Sequence, residues 1–97
     1  MKLNEAQISK TLAQFQAQVL AEDDPAVAQF YEAFGHHTFF LDAAGLYVLE
    51  LLEVPGMEAQ DGEMVSLANW SDAHFTKLTS HQPKPTGVVI SLKEVRH

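Results

Sequence analysis

No cysteine occurs in the 97 residues. Disulfides, thiol nucleophiles, iron–sulfur clusters and cysteine-type zinc sites are excluded together, and stability must come from packing. Long apolar runs are missing as well. The longest, Leu46-Tyr47-Val48-Leu49, stays far short of the roughly 20 residues of a membrane-spanning helix even when Glu50 is admitted and the run is continued to Leu52. The chain is therefore not expected in a membrane. Its polar start, Met1-Lys2-Leu3-Asn4-Glu5, leads into a helical pattern and has no secretory or transit character, so a cytoplasmic location is expected.

Positive charge is scarce and unevenly placed. There is no Lys or Arg from Thr11 through Thr76, a stretch holding Glu22, Asp23, Asp24, Glu32, Asp42, Glu50, Glu53, Glu58, Asp61, Glu63 and Asp72. The basic residues Lys2, Lys10, Lys77, Lys84, Lys93 and Arg96 lie toward the two ends, and the formal net charge is −7. Such a surface repels phosphate backbones, which argues against nucleic-acid binding. It suits either plain solubility or docking of a basic protein.

What is present is a globular composition: 46% apolar and 9% aromatic residues in a length that fits one domain, residues 1–97. Asn4-x-x-Gln7 resembles a capping box, and Ile8, Leu12, Phe15 and Val19 follow on one helical stripe, predicting a first helix over about 5–21. Asp24 followed by Pro25 is a second start signal; Val27, Phe30, Tyr31 and Phe34 form the apolar face and Gly35 the stop, predicting a helix over 25–34. The period then changes to two. His37, Phe39 and Leu41 alternate with Thr38, Phe40 and Asp42 as a strand, Asp42-Ala43-Ala44-Gly45 is a turn, and Leu46 to Glu53 is the next strand. Both faces of that second strand are apolar, so it needs cover on both sides.

Val54 to Gly62 has loop composition, and Met64 to Trp70 alternates as a third strand. Ser71-Asp72 is short enough for a hairpin turn, followed over 73–79 by a fourth strand or a helical turn capped by Asp72. Gln82 to Gly87, with Pro83 and Pro85, is expected to break regular structure before a last strand over Val88 to Leu92. The expected class is α+β, with two N-terminal helices packed on one face of a four- or five-stranded antiparallel meander. In that arrangement the second sheet face stays bare, which points to a homodimer. A helix followed by an antiparallel hairpin in a small acidic chain resembles, in architecture alone, the type III secretion chaperones; no motif carries the resemblance and it supplies no residue roles.

Catalytic motifs are absent. His36 and His37 would point to opposite faces of a strand, and His74, His81 and His97 add no H-E-x-x-H or zinc-finger spacing, so no metal or other cofactor is expected. Ser66, Ser71, Thr76 and Ser80 lie near His74 and His81 without a G-x-S-x-G frame. Asp23 and Asp24 are accounted for by helix capping, and Gly35, Gly45, Gly56, Gly62 and Gly87 stand singly, leaving no phosphate loop. The expected function is a small acidic protein-interaction module, homodimeric, docking a basic partner and without catalytic activity of its own. The alternative is a small-molecule binder or enzyme with a pocket between the second helix and the sheet. Tyr31, His37, Tyr47 and Trp70 are the candidate ligand or partner contacts, as aromatic rings with polar tips.

Overall fold

The computed structural model describes residues 3–52, 61–71 and 77–92. In chain order these form α1 (Glu5–Gln14), β1 (Gln18–Val19), α2 (Pro25–Phe34), β2 (Phe39–Leu41), β3 (Gly45–Leu52), β4 (Asp61–Trp70) and β5 (Leu78–Ser91). The strands make one antiparallel sheet in the order β1-β2-β3-β4-β5, the α+β meander expected from the sequence.

The capping box of α1 is complete: the Gln7 N–H donates to the Asn4 side chain at 2.8 Å and the Asn4 N–H to the Gln7 side chain at 2.9 Å. The helix stops at Phe15, whose backbone is extended (φ −135°, ψ 118°), and not near residue 21. Sheet pairing competes with the helical stripe there and wins. Gln18 pairs with Leu41, Val19 with Phe40, and the Leu20 N–H donates to the Phe39 carbonyl at 2.9 Å, which closes an edge of β2 that would otherwise be open. In α2 the Asp24 carboxylate accepts from the Ala26 N–H at 2.9 Å, Pro25 opens the helix, and Gly35 ends it at φ 89°.

β2 is shorter than the alternation over 37–42 suggested, but it carries the pair that organises the molecule. Phe39 and Phe40 are 1% and 0% exposed and point to opposite faces. On one face Phe40, Tyr47, Leu49, Met64 and Ile90 pack with Ile8 and Leu12 of α1 and with Phe15 at its C-terminal cap. On the other, Phe39, Leu46, Val48, Val65 and Leu67 pack with Val27, Phe30 and Phe34 of α2. The helices therefore divide between the two faces instead of sharing one, because β1 lies between them in the sheet edge and carries the chain from one side to the other. The face expected to await a second subunit is covered by the chain's own α1.

The prolines of the last segment do not break it. β5 runs through Pro83 and Pro85 as an edge strand, where a residue with no N–H is tolerated on the outward side, and the strain is taken up as register shifts opposite 63–65 and 66–68. Its end is guarded by α1. The Gln14 amide donates to the Ser91 carbonyl at 2.8 Å and accepts from the Ser91 N–H at 2.9 Å, while Lys10 Nζ donates to the Leu92 carbonyl at 3.0 Å. Asp61 and Gly62, expected in a loop, begin β4. The rest of that loop, the turn at Asp72 and the 73–76 part of the fourth segment lie outside the described residues.

Candidate functional site

An α-helix of ten residues is roughly 15 Å long. The eight residues of β3 extend over roughly 26 Å. One helix on that face leaves part of the sheet uncovered, and beyond the C-terminal end of α2 the uncovered part forms a cleft of about 660 Å³. Ala33, Phe34 and His37 form the helix side, Val48 and Glu50 of β3 with Val65 and Leu67 of β4 form the floor, and Pro83 stands on the β5 side.

The floor changes character along its length. Val48 faces Val65 across the strands, and two residues further Glu50 faces Glu63. Side chains directly opposite in an antiparallel pair share a face, so the second step sets two carboxylates side by side, an arrangement that costs stability. No lysine or arginine is among the lining residues. His37 is half-buried, donates to the Phe34 carbonyl, and is held below the ordinary imidazole pKa chiefly by burial, against the opposing pull of Glu50. The lining is thus apolar at the centre, acidic at one end, and bounded near the helix by an imidazole biased toward its neutral form.

Of the four residues singled out from the sequence, Tyr31 and His37 come together, each ring near Phe39 (centroids 6.0 and 6.1 Å) and both lining a small pocket of about 50 Å³, while Tyr47 and Trp70 lie apart from them. His37 lines the cleft. Tyr31 stacks on His36 with ring centroids 4.3 Å apart, on the flank of α2. Tyr47 belongs to the opposite core, against the Phe15 ring (5.1 Å, edge-on); burial first, then the Asp42 charge and hydrogen bond, push its phenol above the usual value. Trp70 Nε1–H donates to the Asp42 carbonyl at 2.7 Å, fastening β4 to the β2–β3 turn. Phe34, Val48, Glu50, Val65, Leu67 and Pro83 went unnoticed as site residues. The available signal was the mismatch between a short second helix and a long strand whose face reads Leu46, Val48, Glu50, Leu52.

Among the described residues no three His, Asp or Glu side chains are grouped to hold a metal ion, and no helix is long and apolar enough to cross a membrane. No protein-family model, curated protein or solved structure matches the chain.

Proposed function

We propose that the chain is a protein-interaction module whose cleft takes an apolar segment of a basic partner. The observation that supports this most is the pairing of an apolar floor, Val48, Val65 and Leu67, with the Glu50 carboxylate in the lining, Glu63 opposite it in register just outside, and no Lys or Arg in the lining. Apolar anchors seated between α2 and the sheet would supply the buried area, and flanking Lys or Arg side chains would relieve the carboxylate repulsion. A second copy of the chain is not needed for this reading, since each sheet face already carries a helix.

Titration with a synthetic Leu/Lys amphipathic peptide, followed by fluorescence anisotropy, tests it. Binding is expected, weakening as salt is raised, and a Leu/Glu peptide of the same pattern is expected not to bind. Ala33→Trp, at an exposed lining position, should fill the cleft and abolish the interaction. Equal binding of both peptides, or an undiminished signal with Ala33→Trp, overturns the proposal.

The cleft volume also falls within the roughly 300–1,000 Å³ of small-ligand pockets, which favours a second reading as a binder of small apolar molecules. Ligand-induced thermal stabilisation that is lost on His37→Ala, with no peptide binding, would select that reading.

A further inference from the structure

We propose that Ser66 and His81 form a nucleophile–base pair for acyl transfer, on the sheet face opposite the cleft. Ser66 Oγ lies 3.1 Å from His81 Nε2, and His81 Nδ1 lies 2.7 Å from the Gln82 carbonyl oxygen. A carbonyl oxygen only accepts, so Nδ1 carries the hydrogen. In the uncharged ring Nε2 is then a bare lone pair and must accept the Ser66 hydroxyl hydrogen. The Gln82 carbonyl does for this imidazole what a carboxylate does in a catalytic triad, which is to hold the tautomer that makes the distal nitrogen a base.

The strand irregularity explains how the pair arises. Ser66 is opposite Lys84 and Ala68 is opposite Ser80, so one residue of β4 spans three of β5, 81–83. That bulge re-aims His81 toward Ser66, a role bulges take beside active sites. Register places Ser66 between Tyr47 and Lys84 on a shared face. Tyr47 belongs to the α1 core, which sets this face apart from the cleft, and Lys84, opposite Ser66 in register, places a cationic residue on the neighbouring strand. Ser66 and His81 are both half-buried, so neither side chain is sealed from solvent.

The substrate class is a small carboxylic ester. Ser66 Oγ attacks the carbonyl carbon while its proton passes to His81 Nε2. The bond to the leaving oxygen breaks, and that oxygen takes the proton from His81 as an alcohol. Water then attacks the acyl-serine, giving one proton to His81, which returns it to Ser66 Oγ as the acid departs; the net reaction is ester plus water to acid plus alcohol.

Incubation with diisopropyl fluorophosphate, read by intact mass and peptide mapping, tests the pair. One adduct is expected, on Ser66, absent in Ser66→Ala and formed on the order of 10²-fold more slowly in His81→Gln, the loss typical of a missing general base. His36→Gln, remote from the pair, should label at the parent rate, and far-ultraviolet circular dichroism checks that each variant is folded. No adduct, an adduct on another residue, or equal labelling of folded His81→Gln overturns the proposal.

Discussion

Asp42 ties together more of the molecule than any candidate contact. Its carboxylate accepts from the Ala44 and Gly45 N–H groups at 2.8 and 3.0 Å, it hydrogen-bonds Tyr47, and its carbonyl takes the Trp70 indole. The turn signal was legible as Asp followed three residues later by Gly, because that chemistry is local. The long-range partners were not, since they depend on register. Gly45 itself sits at φ 153°, and an added Cβ would run into the Ala68 carbonyl of the neighbouring strand. Gly45→Ala is expected to cost at least about 2–3 kcal/mol in urea unfolding, combining backbone strain with a clash that no side-chain rotation relieves.

His37 gives a pH prediction. Burial lowers its folded-state pKa below 6.5, so the unfolded chain binds the proton more readily than the folded one. The stability tied to this residue is complete above 6.5 and is lost as pH falls from there through the lowered folded value. His37→Gln should therefore flatten the fall in melting temperature over that window. A variant as acid-sensitive as the parent between pH 7.5 and 5.5 would show that other groups set the dependence.

At the scale of elements, both helix starts and the end of α2 at Gly35 were legible, and the end of α1 was not. Asn4 and Asp24 cap through their own neighbours, whereas α1 ends where β2 offers residues 18–20 a strand to pair with, a fact of tertiary structure. Likewise Pro83 and Pro85 signal a break when the strand's place in the sheet is unknown, and become acceptable once β5 is an edge. The amide of Gln14 shows how that edge is closed. Gln14→Ala removes both hydrogen bonds to Ser91 and should destabilise by about 1 kcal/mol, with faster amide exchange at Ser91. Unchanged exchange there would mean that the α1 contact does not protect the strand.

At the scale of the whole molecule, the two-sided apolar character of residues 46–52 was correctly visible, but what covers each side was not. Both sheet faces bear a helix because β1 passes through the sheet edge, and two residues of strand carry too little pattern to be recognised in the sequence. The cleft follows from that division: α2 alone is too short for its face. Its acidic end carries an unfavourable carboxylate pair, so Glu50→Gln is expected to raise stability by a few tenths of a kcal/mol while weakening the Leu/Lys peptide several-fold. A variant that is both less stable and equally able to bind would contradict that trade.

The most direct test of the cleft as a docking site is a methyl and amide NMR titration with the Leu/Lys peptide. Shifts are predicted at Val48, Val65, Leu67 and Ala33, with Ile90 and Met64 of the opposite core unmoved. Shifts centred on the α1 face or the β5 edge, or none at saturating peptide, would contradict the account.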